Sequence, residues 1–188
     1  MVKLSKDPRD VNEVVERYIV LFLGASPDPI PSELHLQKEL FVFLNVYKNL
    51  RDFIHFEKHY KGPYSPEIKE ALESPMYLSN SWQLEDPKIR LTKDGQEVYK
   101  ELVSFYKDDE RFKQLLEAIK LTRRMYDKLS GDELLLLIYL TYPEYKLESN
   151  VSEGIYSKKN SLASSLLNKG LITEGRFKEL VSLLIQGE

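Results

Sequence analysis

Apolar positions first recur at helical spacing from Val11. Val11, Val14, Val15, Tyr18, Ile19 and Phe22 make one face, and Asp10 stands where an N-cap belongs. The spacing predicts a helix that stops near Gly24. The stretch Ser26-Pro27-Asp28-Pro29-Ile30-Pro31 is then a stiff loop, because its prolines fix φ and remove donors. Ser32 caps a second predicted helix bearing Leu36, Leu40, Phe43, Leu44 and Tyr47. Its other flank is apolar too (Phe41, Val46, Leu50), which places this helix at the centre of the core. Phe53-Ile54-His55-Phe56 fits a strand or a helical turn. Gly62-Pro63-Tyr64 reads as a turn ahead of Ser65 as N-cap and Pro66 at the first helical position, where a missing N–H costs nothing. Ile68 and Leu72 face inward on this third helix. Glu67 and Glu70 lie near its start, where the helix dipole favours them, and it ends before Pro75.

Strand periodicity then takes over. Trp82 and Leu84 alternate with Gln83, and Ile89 and Leu91 with Arg90, while Glu85-Asp86-Pro87-Lys88 turns the chain. This predicts one β-hairpin with one apolar face. Thr92 caps the next helix, with Val98, Tyr99, Leu102 and Val103 inside. Asp108-Asp109-Glu110 separates it from another that buries Leu115, Leu116, Ile119 and Met125. Ser130 and Glu133 form a capping box ahead of Leu134 to Leu140, and Pro143 closes that helix. Two last helices are predicted over Ser161 to Asn168 and Thr173 to Ile185. The order predicts a mainly α protein: a winged-helix-like helical body over residues 1–129 with one β-hairpin, then a C-terminal helical extension over 130–188. In such a body the helix from Ser65 is the one presented to a partner, with the hairpin beside it. Leu134 to Ile138 is apolar all round, so the extension must pack on its own body, on a second copy or on a partner.

Composition removes several function classes. The 188 residues are 42% hydrophobic and 30% charged, enough for an ordinary core. There is no cysteine, which excludes disulfides, thiolate zinc sites and cysteine nucleophiles and suits a reducing cytoplasm. The N-terminus lacks the apolar stretch of a signal peptide. The longest apolar runs, Ile19 to Leu23 and Leu134 to Leu140, are far short of the roughly 20 residues that span a bilayer. A soluble cytoplasmic protein is expected, with a thermophile-like balance of Lys and Glu over Gln. A net charge of −3 and a pI near 5.8 argue against a protein that coats DNA indiscriminately.

Three short motifs carry a family likeness. They are Leu36-Gln37-Lys38 with Leu40-Phe41, then Tyr60-Lys61-Gly62-Pro63-Tyr64-Ser65, then Leu91-Thr92-Lys93-Asp94-Gly95. In this order and spacing, over roughly residues 32 to 105, the chain resembles the Panacea (SocA-like) antitoxin domain and the related YwgA-like proteins. The resemblance implies a compact helical antitoxin or adaptor that neutralises a toxin by protein contact, without enzymatic activity. The extension resembles a small antitoxin-like family often encoded beside PIN-domain toxins. The residues that carry this are Asp132 to Leu140, Tyr142-Pro143-Glu144-Tyr145, Ser161-Leu162-Ala163, Leu166 to Gly170 and Glu179-Leu180. With no room before Glu188 for a further recognition helix, this unit is expected to serve protein contact.

Candidate chemistry is sparse. His55 and His59 are spaced i,i+4, as two ligands on one helix face would be, and His35 is the remaining histidine. The order of residues in known zinc hydrolases is absent, and solvated histidines are the preferred reading. No nucleophile elbow or glycine-rich phosphate loop occurs, and the serines sit where caps explain them, so no catalytic residue, cofactor or metal is assigned. Partner contact is assigned instead to Tyr60, Gly62, Pro63, Tyr64, Ser65, Trp82 and Arg90. The aromatics among them suit interface anchors and core staples equally. Lys113, Lys120 and Arg124 share a helical face that Lys128 extends, with Arg123 beside it. This basic face suits nucleic acid, an acidic partner or plain solvent. The expected partner is a toxin-like protein or a second copy. DNA bound by a winged-helix regulator is the alternative.

Overall fold

α1 (Val11–Gly24) starts where Asp10 Oδ1 accepts the Glu13 N–H at 3.1 Å. It buries Val15, Ile19, Val20, Phe22 and Leu23. The structure, a computed structural model, describes residue 4 and residues 6–47, 53–145 and 152–182. The proline-rich connection after α1 runs through a turn and bends, and it holds Ile30 against Ile89. Each of the two N–H groups donates to the other's carbonyl at 2.9 Å. α2 (Glu33–Val46), capped by Ser32, buries Leu36, Leu40, Phe43 and Leu44 on one flank and Phe41 on the other, whereas Val46, expected on that second apolar flank, is 72% exposed. Leu50, counted on its outer flank, lies outside the described residues.

The chain then departs from the sequence expectation. Among the described residues two hairpins form instead of one, because β1 (Glu57–His59) pairs with β2 (Gly62–Tyr64). The turn is Tyr60-Lys61, and Gly62-Pro63-Tyr64 is the returning strand. Gly62 has a φ of 78°, a conformation that side-chain-bearing residues avoid, and this lets a two-residue turn twist back into a strand. Ile54 to Phe56 are neither strand nor helix.

α3 (Pro66–Glu73) follows, then β3 (Trp82–Glu85) and β4 (Lys88–Leu91) in the expected register, with Trp82 opposite Leu91 and Leu84 opposite Ile89. α4 (Lys93–Phe105) and α5 (Glu110–Tyr126) are capped by Thr92 and Asp109. Beyond them come α6 (Gly131–Thr141), a 3-10 turn (Pro143–Tyr145), α7 (Ser152–Ser157), α8 (Lys159–Asn168) and α9 (Glu174–Ser182). α7 was not anticipated, and α8 starts two residues early. The positions expected to finish the last helix, Leu183 to Ile185, lie outside the described residues.

The protein is thus mainly helical, with small hairpins and a C-terminal helical extension. It divides into two compact units: Met1–Glu57 with Tyr64–Asp127, and Lys58–Pro63 with Lys128–Glu188. In the first, α1 packs against α3, α4, α5 and β4, and α2 against α5. In the second, α6 packs against α7 and α8, and α8 against α9. Its buried side chains include Leu134, Leu136, Ile138, Ile155, Ala163, Leu166 and Leu180. Among the described residues no helix is long and apolar enough to cross a membrane.

Candidate interaction surface

α3 is clamped at both ends. At its start, Gln37 of α2 meets the Ser65 main chain twice: Nε2 donates to the Ser65 carbonyl at 3.1 Å, and the Ser65 N–H donates to Oε1 at 3.0 Å. Ser65 Oγ accepts the Ile68 N–H and donates to Glu67 Oε2 at 2.7 Å. At its end, Trp82 Nε1 donates to the Leu72 carbonyl at 3.1 Å, so the hairpin caps the helix. Ile68, Ala71 and Leu72 are buried.

The outer face carries Glu67, Lys69, Glu70 and Glu73. Lys69 Nζ lies 2.5 Å from Glu73 Oε1 and 3.3 Å from Glu33 Oε2, so the one cation of the helix is neutralised locally. His55 Nδ1 is 3.3 Å from Glu67 Oε1. Burial pushes the Glu67 carboxyl up, but hydrogen bonds from Ser65, its own backbone and His55 outweigh this and hold it below the usual range. Tyr64 is half-buried next to this face. Burial first, then the nearby Glu33, Glu73 and Glu57, raise its hydroxyl pKa against Lys69. The surface is acidic around a rigid helix.

Several residues assigned to partner contact are interior instead. Ser65 is 0% exposed and Trp82 only 8%, and Gly62 and Pro63 are buried as well. Trp82 belongs to the first unit's core. Tyr60 and Arg90 remain on the surface. Tyr60, 47% exposed at the β1–β2 turn, has its ring 4.0 Å from that of His59, with Lys61 Nζ 5.6 Å from its centre. Arg90 Nε is 3.4 Å from Glu85 Oε2 across the second hairpin. Leu84, expected on the apolar face, is 56% exposed, although Ile89 opposite it is buried.

The basic face breaks up. Lys113 pairs with Glu110 at 2.5 Å and Lys120 with Glu117 at 2.6 Å, one turn back in each case. Arg123 is not on the surface. It follows Leu116 by seven residues and Ile119 by four, which puts it on the buried stripe of α5, at 0% exposure. Arg124 is exposed, and Lys128 belongs to the second unit. The helical spacing supposed for His55 and His59 also fails, because that segment is extended. His35 is buried, with Nδ1 2.8 Å from Ser32 Oγ. Among the described residues no three His, Asp or Glu side chains gather closely enough to hold a metal ion.

A cavity of about 250 Å³ opens in the first unit between α1, α4 and α5, walled by Val14, Tyr18, Leu21, Leu102, Phe112 and Leu115. Arg17 lies at its edge. Its guanidinium is taken up by Glu13 Oε1 (2.6 and 3.2 Å) and the Lys6 carbonyl (2.9 Å), so the cavity offers mainly apolar walls. Periodicity predicted Val14, Tyr18, Leu102 and Leu115 among those walls, but neither Leu21 and Phe112 nor the space between them. Comparison of the chain with protein-family models, curated proteins and solved structures returns no match.

Proposed function

We propose that this is a non-enzymatic antitoxin-like or adaptor protein that acts through protein–protein contact, with its body built on a winged-helix-like plan. One observation carries the proposal: α3 is held at both ends while its outer face stays acidic. A preorganised helix lowers the ordering cost of docking, and clustered carboxylates suit a basic partner. The winged-helix plan is supported by the order α1, the paired Ile30, α2, α3, β3 and β4, with the β1–β2 hairpin inserted between α2 and α3, and by Ile30 joining the second strand of the β3–β4 hairpin. The motifs of the body and the extension favour a toxin-like partner, with a homodimer as the other form of contact. A cytoplasmic location agrees with the absence of cysteine. The test is co-purification of the full chain from its own host. A stoichiometric protein partner is expected, and recovery with substrate-sized ligands alone overturns the proposal.

The second reading, a sequence-specific DNA-binding regulator, draws on the same topology. It is opposed by the charge of α3, because phosphate contacts supply most DNA affinity and three Glu against one Lys repel phosphate. Binding to host promoter DNA at low salt would revive it.

A further inference from the structure

Three charged side chains meet inside the first unit where α2, α5 and the end of α1 converge. Glu39 and Arg123 are both 0% exposed, and Asp127 is 19% exposed. Each of the three guanidinium nitrogens donates a hydrogen bond. Arg123 Nε donates to both Asp127 oxygens at 2.9 and 3.0 Å, and the other nitrogens donate to the carbonyls of Phe22 and of Asp28, the latter at 2.8 Å. Glu39 receives none of these bonds. It stands 3.7 Å from Arg123 Nε, and neither of its oxygens accepts a hydrogen bond. One cation therefore faces two carboxyl groups, of which that of Glu39 is fully buried and that of Asp127 is 19% exposed. With both ionised, a net negative charge would be buried, and such a charge is relieved by taking up a proton.

We infer that Glu39, Arg123 and Asp127 form a proton-linked latch, which takes up one proton on Glu39 when the chain folds and secures the C-terminal turn of α5 while that proton is bound. The bookkeeping is simple: one carboxylate plus one proton gives one carboxylic acid, leaving Arg123 and Asp127 as a neutral pair. The protonated Glu39 then has an O–H to donate, with the Asp127 carboxylate as its acceptor, which gives one of its two unpartnered oxygens a hydrogen bond. Burial first and Asp127 second push the Glu39 carboxyl well above its usual range, with Arg123 pulling the other way. The charged groups acting on it come from α5 alone. α1 and the connection after it bring the carbonyls of Phe22 and Asp28 to Arg123.

An ionised Glu39 would compete with Asp127 and both carbonyls for the same guanidinium. Those bonds tie the last turn of α5 to the end of α1 and the connection that follows it. Asp127 is the C-cap of α5 and the last residue of the first unit before Lys128. Because the folded pKa of Glu39 lies above its unfolded value near 4.5, the folded chain binds more protons between the two. The latch therefore contributes fully below about pH 4.5 and weakens as pH rises through the folded pKa.

The test compares the full-length wild type with Glu39→Gln and Asp127→Asn. Infrared spectroscopy at neutral pH is expected to show the carbonyl stretch of a protonated carboxylic acid in the wild type and its loss in Glu39→Gln. Asp127→Asn should lose the same band, because Glu39 alone then balances Arg123. Denaturant unfolding from about pH 5 upward adds a second readout. The ratio of wild-type to Glu39→Gln folding constants should fall about tenfold per pH unit until Glu39 ionises in the folded chain. A wild type without the band, or a Glu39→Gln protein with the same band or the same pH slope, overturns the inference. Should Asp127→Asn fail to fold, the wild-type and Glu39→Gln pair decides alone.

Discussion

Glu16 on α1 and Leu78, sixty-two positions along the chain, are joined by a 2.6 Å hydrogen bond from the Leu78 N–H to the Glu16 carboxylate. The same carboxylate accepts the N–H groups of Met76 (2.7 Å) and Tyr77 (3.0 Å). Glu16 is 1% exposed, so a buried anion holds three successive backbone donors in the connection between α3 and β3. This sets where α3 ends and where the hairpin begins.

Removing that carboxylate leaves buried donors without acceptors. Glu16→Ala should destabilise the protein by on the order of 3 kcal/mol, read from urea unfolding, with Glu16→Gln losing less because one oxygen remains. A loss below about 0.5 kcal/mol would show that water replaces the carboxylate at no cost.

Gly95 tests packing at the start of α4. A Cβ there would stand 1.8 Å from the Ser81 carbonyl oxygen, which already accepts the Thr92 N–H. Gly95→Ala should therefore cost about 3 kcal/mol. At Gly154 a Cβ meets nothing within 4 Å. Gly154→Ala should be neutral or stabilise by about 0.5 kcal/mol. Thermal melts of the two variants should move apart, and equal shifts would contradict the clash.

The second unit should be sensitive to acid through Glu133. Burial pushes its carboxyl up, but bonds from Lys169 (2.7 and 2.9 Å), Ser165 and Ser130 outweigh this and hold it at about 2. The folded pKa lies below the unfolded value near 4.5, so its stabilisation is complete above about pH 4.5 and is lost as pH falls toward 2. The full effect is on the order of 3 kcal/mol. Acid unfolding followed by amide signals of α6 and α8 should shift to higher pH in Lys169→Met. An unchanged acid midpoint would show that the ion pair contributes nothing.

Charge reversal on α3 separates the two functional readings. Glu70→Lys with Glu73→Lys should weaken capture of a basic protein partner at least tenfold, by calorimetry or surface-binding kinetics, while leaving the melting temperature nearly unchanged. If the same pair instead creates salt-dependent, sequence-selective DNA binding at no loss of partner capture, the protein-contact surface lies elsewhere.

Much of the fold is local and was legible. Asp10, Ser32, Ser65, Thr92 and Ser130 all cap helices as their positions predicted, because a cap involves a side chain and an N–H two or three residues away. The β3–β4 hairpin was equally visible, since alternation and its turn fall within ten residues. Glu39 and Arg123 left a trace that charge alone obscured: each lies on the apolar stripe of its helix, in step with Leu36 and Phe43 or with Leu116 and Ile119.

Helical spacing determined which faces turn inward, and cap residues determined where helices begin. Only the tertiary structure decided the pairing of Ile30 with Ile89, the use of Glu16 as an acceptor for Met76 to Leu78, and the meeting of Glu39 with Arg123 and Asp127. These contacts join residues 59 to 88 positions apart. No local pattern encodes them, because the partner is chosen by which surfaces the packed helices bring together. A buried charge looks like any surface charge in the sequence until packing closes over it and a low-dielectric interior demands a partner or a proton.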